Sequence, residues 1–427
     1  MGNFSQLDLC PELQFTLGQL NYEQSTEIQD KAIPAILAGE DILAQAQTGT
    51  GKTAAFALPI IEILHRTSSR DASYHDIRAL VLTPTRELAI QVGEKALSYG
   101  EKLGMRVVSV YGGVRFENQI RKMKRGADIL VATPGRLLEM LIQRKLSLEF
   151  LEILVFDEAD RMLDLGFIHD ITRIMSFMPE KRQTLLFSAT FNPKIESWAQ
   201  RVLNNPKSIS ATPSNSAAKK VQQLAYKVDN ASKDEVLCYL IKSGQWQQTL
   251  VFTRTKRRAE NVAMMLVAEG INATSIHGDK IQKERNAALS AFTSLQVDVL
   301  VATDVAARGL DIEALPRVVN YDLPNQAEAY IHRIGRTARA GKTGQAISFV
   351  APDERQYLLE IELLMSKKIQ FHSIPLLEKG KLISEKMASI KRANQKKPRK
   401  TAKAKYIAEP LEKPDKPALR PSLLGKK

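Results

Sequence analysis

The chain has 427 residues, 44% of them apolar, and a formal net charge of +14. That length and apolar content exclude a single small core and fit two domains of middling size. Its two cysteines, Cys10 and Cys238, exclude a disulfide framework and have no metal-ligand spacing, so a reducing, cytoplasmic setting is expected. The start lacks a basic stretch before an apolar run, and Gln6 breaks a myristoylation pattern. No apolar run nears the roughly 18 residues of a membrane helix, so no membrane partner is expected.

In chain order, short branched apolar runs appear first: Ile42-Leu43-Ala44, Leu80-Val81-Leu82, Ile129-Leu130-Val131, Leu154-Val155-Phe156 and Leu185-Leu186-Phe187. Each is apolar on successive positions, as strands buried on both faces are. Between them, periodic stretches such as residues 54–64 and 87–102 fit crossover helices. Residues 208–220 (SISATPSNSAAKK) lack apolar bulk and read as a linker. The alternation then resumes with Leu250-Val251-Phe252, Val299-Leu300-Val301, Val318-Val319 and residues 347–350. The expected fold is α/β: two tandem, mostly parallel sheets flanked by helices. After about residue 376 the pattern dissolves. From Lys379 onward 16 Lys/Arg stand against 4 Asp/Glu, a net +12, which leaves +2 for all the other residues. This basic C-terminal tail is expected to be disordered and to face a polyanion.

Two motifs carry chemistry. Ala46-Gln47-Thr48-Gly49-Thr50-Gly51-Lys52-Thr53 follows a strand-like run and opens a helix. Glycines let backbone N–H groups close on phosphate oxygens at a helix N-terminus. Lys52 offers a point charge to the β/γ phosphates, and the Thr53 hydroxyl can ligate Mg²⁺. Ala46 stands where the strict pattern begins with Gly. Asp157-Glu158-Ala159-Asp160 follows directly on Leu154-Val155-Phe156. Asp157 at a strand's carboxyl end can hold Mg²⁺, and Glu158 can orient or deprotonate an attacking water. Alone, the acidic run reads equally as a solvated acidic turn, whereas Gly-Lys-Thr between a strand and a helix makes a Gly-rich helix start without nucleotide the weaker reading of the first motif. Together they point to Mg²⁺-dependent nucleotide hydrolysis, without saying what the hydrolysis drives.

The acidic run spells D-E-A-D, and the motifs around it follow in order. Over about residues 1–370 the chain closely resembles the DEAD-box RNA helicases of superfamily 2, among them the bacterial RhlE-like group with its short basic tail. The resemblance implies two RecA-like domains that close on ATP and RNA. It divides the chain into an adenine-reading segment at residues 1–30, an ATP-binding domain at 31–207, the linker at 208–220, a helicase C-terminal domain at 221–375 and the tail at 376–427. In the adenine-reading segment Gln29 would pair with adenine and Tyr22 would stack on it, with Phe4 upstream. Asn21 and Ser25 depart from the usual Gly and Pro. Ser188-Ala189-Thr190 matches the motif that couples hydrolysis to unwinding, its hydroxyls bonding the acidic run. In His332-Arg333-Ile334-Gly335-Arg336-Thr337-Ala338-Arg339, the arginines 336 and 339 would act as fingers on the γ-phosphate, neighbours if that stretch is helical. Asp311 resembles the ribose contact.

The resemblance also implies an RNA groove. Its first-domain contacts would be Pro84, Thr85, Arg86, Gly112, Gly113, Thr133, Pro134, Gly135 and Arg136. Its second-domain contacts would be Thr253, Arg254, Gly278, Gln282, Arg285, Thr303 and Asp304. No base-stacking aromatic sheet is evident, so the contacts should go to the backbone with little sequence preference. The expected activity is RNA-stimulated ATP hydrolysis driving local, non-processive remodelling of short duplexes and RNA–protein complexes. Ribosomal precursors and RNA-decay machinery are candidate partners. An ATP-locked clamp or annealing chaperone uses the same motifs, and a DNA helicase of the same superfamily is the other alternative.

Overall fold

Four-residue apolar runs without polar alternation can be buried only if both faces of their sheet are covered. The computed structural model describes residues 2–46, 50–67, 76–210, 221–307, 315–337, 344–373, 377–378 and 381–382, and it uses the runs in that way. The first sheet comprises β1 (Ile42–Gln45), β2 (Ala79–Leu82), β3 (Val107–Val110), β4 (Ile129–Ala132), β5 (Ile153–Phe156), β6 (Gln183–Ser188) and β7 (Lys207–Ser210). All pairings are parallel, in the order β3-β4-β2-β5-β6-β1-β7.

One face buries Val81, Val131, Val155, Leu185 and Phe187 against α1 (Pro11–Gln19), α2 (Glu27–Leu37), α3 (Lys52–Arg66) and α4 (Arg86–Gly100). The other buries Leu80, Leu130, Leu154, Phe156 and Leu186. Against that face pack α5 (Phe116–Met123), α6 (Pro134–Ile142), α7 (Ala159–Asp164), α8 (Ile168–Met175) and α9 (Pro193–Val202). Alternate residues of one strand thus serve two apolar layers, which is why the runs show no polar positions.

The second sheet comprises β8 (Val221–Lys227), β9 (Thr249–Thr253), β10 (Ala273–Ile276), β11 (Val299–Thr303), β12 (Arg317–Asn320), β13 (Gly344–Val350) and β14 (Gln370–Phe371). Its order is β10-β11-β9-β12-β13-β8-β14, which repeats the first sheet's order strand for strand. It too is parallel throughout. Both sheets belong to one unit, Met1–Leu382.

Two expectations change. The linker loses its first three residues, because Ser208, Ile209 and Ser210 pair with β1 as the edge strand β7; the rest of it, residues 211–220, lies outside the described residues. The start of the tail forms an antiparallel pair, Leu377–Glu378 with Lys381–Leu382. Residues 383–427 lie outside the described residues. Among the described residues no helix is long and apolar enough to cross a membrane.

Candidate functional site

Strand order sorts the motifs. The phosphate loop follows β1, Asp157 follows β5, and the Ser188-Ala189-Thr190 motif closes β6, three strands that lie side by side as β5-β6-β1. Residues 84–86 follow β2, Gly112 and Gly113 follow β3, and residues 133–136 follow β4, which occupy the other half as β3-β4-β2. Parallel strands put all these loops on one sheet edge, where ligands of open α/β sheets bind. The second sheet repeats the partition: Thr253, Gly278 and Thr303 lie at or beyond the ends of β9, β10 and β11, which form the β10-β11-β9 half.

In the first half, Gly51 caps α3 at φ +91°, a conformation that favours glycine, and a Cβ there would run into the Gln29 side chain. Gln29 is buried, accepts from Thr26 N at 2.9 Å and donates to the Gly51 carbonyl at 3.1 Å. The glutamine expected to read adenine is therefore tied to the phosphate loop itself, and its amide keeps a second proton and lone pair for a ligand. Asn21 has φ +58°, a left-handed position that Asn tolerates and that explains the usual Gly. Ser25 takes the place of the usual Pro by hydrogen bonding Asp30, which also accepts from Gly2 N at 3.1 Å. Phe4 is buried, and the half-buried Tyr22 packs its edge against it while its hydroxyl meets that of Tyr99 at 3.0 Å.

Lys52 and Asp157 are both buried, with Nζ and Oδ1 3.7 Å apart, and neither atom has a hydrogen-bond partner among the described residues. Burial pushes the Asp157 carboxyl up to about 6, against the pull of Lys52 and with the charges of Glu158 and Asp160 adding to the rise. Burying a cation and a carboxylate without hydrogen bonds is costly. They suit a site that receives phosphate oxygens and a divalent cation, to which Thr53, one residue beyond Lys52 on the first turn of α3, would add an uncharged oxygen ligand. Glu158 sits at φ +55° where the chain turns from β5 into α7. Gln47, Thr48 and Gly49 lie outside the described residues.

Asp160 joins the acidic run to the end of β6. Its Oδ2 accepts from Ala189 N at 3.2 Å, Thr190 N at 3.1 Å and Thr190 Oγ1 at 3.1 Å. Ser188 differs from expectation: its hydroxyl donates to the Thr190 carbonyl at 2.7 Å and so braces the loop rather than the acid. Beside this link a cavity of about 400 Å³ is lined by Glu158, Asp160 and Thr190 and, from the other lobe, by Gln326, Glu328 and His332. The helix bearing His332 is Ala327–Ile334, so it stops short of Arg336. Arg336 itself lies beyond that helix, where its carbonyl accepts from Leu315 N at 3.0 Å and Thr337 bridges Leu315 in parallel. Arg336 is 5% exposed; Arg339 and Asp311 lie outside the described residues.

At the other half, Thr85 caps α4 by accepting from Leu88 N at 3.3 Å, and Arg86 turns its guanidinium over the Gly112-Gly113 turn. Gly113, at φ +79°, leaves room that a Cβ would take from that guanidinium. Arg86 is pushed down by burial and by the neighbouring charges of Arg285 and Arg136, so three arginines from both lobes share one field. Arg136 donates to the Val114 carbonyl and to Gln119 Oε1, each at 3.2 Å. Thr133 and Pro134 open the helix α6, which carries Gly135 and Arg136. Gln282 and Arg285 reach the first lobe: Glu87 Oε1 receives Arg285 at 2.6 Å and Gln282 at 3.1 Å.

Two of the expected RNA contacts have protein partners. Arg254 is held by Glu354 at 2.5 Å and by the Leu323 carbonyl at 3.2 Å. Asp304 receives Arg333 on both oxygens at 2.7 Å. Arg333, 1% exposed, also bonds Asn320 Oδ1 and the Asp322 carbonyl and lies over Phe252, so it pins the ends of β11, β12 and β9 together. Sequence reasoning singled out neither Glu87 nor Arg333 for these roles, and it expected Asp160's link only as a bond to the acidic run as a whole. Asp160 and Arg333 stand inside quoted motifs and Glu87 directly follows Arg86, but their partners are remote in sequence, and only Asp160's link to the β6 loop had a sequence signal.

Known proteins match along this frame. The DEAD/DEAH box helicase family profile matches residues 26–198, and the helicase conserved C-terminal domain matches residues 232–341. The ATP-dependent RNA helicase CshA of Listeria monocytogenes is 44% identical over 370 residues, 87% of this chain and 70% of the relative. The DEAD-box ATP-dependent RNA helicase RhpA of Helicobacter pylori is 41% identical over 381 residues, 89% of this chain and 76% of the relative. Among solved structures, S. cerevisiae Dbp5 bound to RNA and ADP BeF3 aligns with a TM-score of 0.78 at 30% identity, over 93% of this chain and 99% of that one. The helicase Mss116 bound to ssRNA and UDP-BeF aligns with a TM-score of 0.77 at 29% identity, over 87% and 79%.

Proposed function

The chain belongs to the DEAD/DEAH box helicases and is an ATP-dependent RNA helicase, and from that membership we propose how its residues divide the work. The observation that carries the assignment is the buried pair of Lys52 Nζ and Asp157 Oδ1, without hydrogen-bond partners among the described residues, at the edge where the phosphate loop opens α3.

Lys52 and the N–H groups of residues 46–53 bind the β and γ phosphates. Thr53 and Asp157, directly or through water, would hold a Mg²⁺ ion, which when bound neutralises charge developing on the transferred phosphoryl group. Glu158 orients or deprotonates the attacking water. Gln29 reads adenine, Tyr22 stacks on it and Asp311 holds the ribose. Arg336 and Arg339 complete the site from the second lobe, a contribution of roughly 10³–10⁵ in rate for a finger of this kind.

RNA lies across the β3-β4-β2 and β10-β11-β9 halves. Arg86, Arg136 and Arg285 hold its phosphates, with the hydroxyls of Thr85, Thr133, Thr253 and Thr303 and the loops at Pro84, Gly112, Gly113, Pro134, Gly135 and Gly278 alongside. Gln282 and Arg285 bring the second lobe onto Glu87, Arg254 and Asp304 brace its RNA-facing strand ends, and Asp160 with residues 188–190 passes closure between the two halves. Closure bends one strand and expels its partner over a short duplex; hydrolysis reopens the lobes. The domain limits follow the same reading: residues 1–30, 31–207, a joint ending at 220, 221–375, and a basic tail that adds non-specific affinity. A cytoplasmic location belongs with it, supported by two free cysteines.

Glu158→Gln tests the centre of this reading. It should retain ATP and RNA binding and lose RNA-stimulated turnover, with RNA stimulating the parent protein and DNA failing to. Normal turnover in the variant would remove Glu158 from the chemistry.

A further inference from the structure

The helix α5 follows the Gly112-Gly113 turn and runs along the sheet edge formed by β3. Its buried side presents Phe116, Gln119, Ile120 and Met123, at positions i, i+3, i+4 and i+7. Gln119 fastens that side by donating to the Tyr111 carbonyl at 2.8 Å. The opposite side and the following turn expose Arg121, Lys122, Lys124 and Arg125, with Arg115 exposed just before the helix.

Charge sets this face apart. The chain outside the tail carries only +2 in total, yet residues 115–126 alone carry +4: five cations and one acid, Glu117. Neighbouring arginines are paired, Arg106 with Asp128 at 2.7 Å and Arg136 with Glu139 at 3.0 Å. None of the five cations has an ion-pair partner among the described residues. The helix dipole accounts for basic residues in the last turn, here Arg121 and Lys122. It does not account for Lys124 and Arg125 beyond the helix, nor for the lack of balancing acids.

The helix is also mounted on the groove. Arg136 donates to the Val114 carbonyl and to Gln119 Oε1, both at 3.2 Å, and its guanidinium lies 5.3 Å from the Phe116 ring centre. An arginine assigned to RNA phosphate is thus clamped to the first turns of α5. The eight-residue helix then carries the cations away from the groove over about 12 Å.

We propose that the exposed face of α5 is a second phosphate-binding surface, which holds RNA leaving the groove past Gly112 and Gly113. The proposal rests on the groove reading and extends its footprint beyond the β3 edge. The face carries cations without interleaved aromatics, so it binds backbone and reads no bases. It gives long RNA an affinity that groove-length RNA lacks.

The test compares the full chain with R121Q/K122Q/K124Q/R125Q, in which glutamine keeps the helix propensity. Two single-stranded RNAs are used: one just long enough to sustain full stimulation of ATP hydrolysis, and one extended well beyond that length. Binding is measured across a salt series. The salt dependence for the long RNA should flatten by about 0.7 in log–log slope for each phosphate no longer neutralised, up to roughly 3 for all four. Binding and stimulation by the short RNA should not change, which also shows that the variant is folded. An unchanged slope on long RNA would overturn the proposal and leave the face to an acidic protein surface. Equal losses on both RNAs would overturn it too, because the cations would then act through the groove. If the short RNA fails to bind the unaltered chain, the groove reading itself is wrong.

Discussion

Glu87 joins the lobes through one buried carboxylate, and replacing it with Gln should cost the joined arrangement far more than it costs either lobe. The carboxylate lies 2.6 Å from Arg285, both side chains are 8% exposed, and Gln282 donates to the same oxygen at 3.1 Å. Glu87→Gln strands the arginine charge in that interface, and breaking a buried pair in this way costs roughly 3–5 kcal/mol. Once the lobes part, both groups return to water, so the cost falls on closure alone. The replacing amide still accepts one hydrogen bond, which favours the lower end, a shift of about 10²-fold. With a dye on each lobe, energy transfer is followed while RNA is titrated in the presence of a non-hydrolysable ATP analogue. The RNA midpoint should rise by that factor, and the KM for RNA in ATP hydrolysis should rise with it. Arg285→Gln should act alike, and the double variant should fall short of the sum of the two by well over about 0.5 kcal/mol. An unchanged midpoint, or strict additivity, would refute the view that this ion pair helps hold the lobes together.

Three further outcomes follow from the site. Asp157 titrates near 6 in the folded chain against an ordinary 3.8, so between those values the folded state keeps a proton that the unfolded state has released, and stability falls as pH rises. Metal- and nucleotide-free Asp157→Asn should therefore be more stable than the parent by about 3 kcal/mol at pH 8 and about half that at pH 5, read from denaturant midpoints; a gap that widens on acidification contradicts the burial argument. Asp160→Ala strands the N–H groups of Ala189 and Thr190, whose bonds to a charged acceptor are worth about 1.5–3 kcal/mol each, so thermal stability should fall and RNA stimulation of ATP hydrolysis should be lost, with Asp160→Asn recovering part of both. Gln29→Ala should raise the KM for ATP about tenfold or more and leave that for GTP nearly unchanged, since only adenine matches the donor and acceptor of its amide.

Much of this was legible along the chain. The apolar runs marked the strands because burial on both faces removes every polar position. Gly49 to Thr53 and Asp157-Glu158 marked the hydrolytic site because binding phosphate needs a local stretch of backbone and two or three adjacent side chains. Asn21 stood out as a departure from Gly, but only its φ of +58° explains both residues. Arg336 falls outside the helix because that helix ends at Ile334 and the Leu315 backbone takes up the Arg336 carbonyl, a competition no local pattern encodes. Arg254 and Asp304 looked free to meet RNA, yet Glu354 and Arg333 hold them from 100 and 29 residues away.

By itself, the sequence determined that this protein is built from two parallel α/β sheets and hydrolyses a nucleotide, because those properties reside in short contiguous segments. Tertiary structure alone decided that β5, β6 and β1 lie together while β3, β4 and β2 form the other half, so that one sheet edge carries two separate groups of motif loops. It also decided that Glu87 meets Arg285 across 198 residues of chain. Strand order and lobe contacts arise from packing between distant segments, and the energy of a buried charge depends on which partner that packing brings within reach.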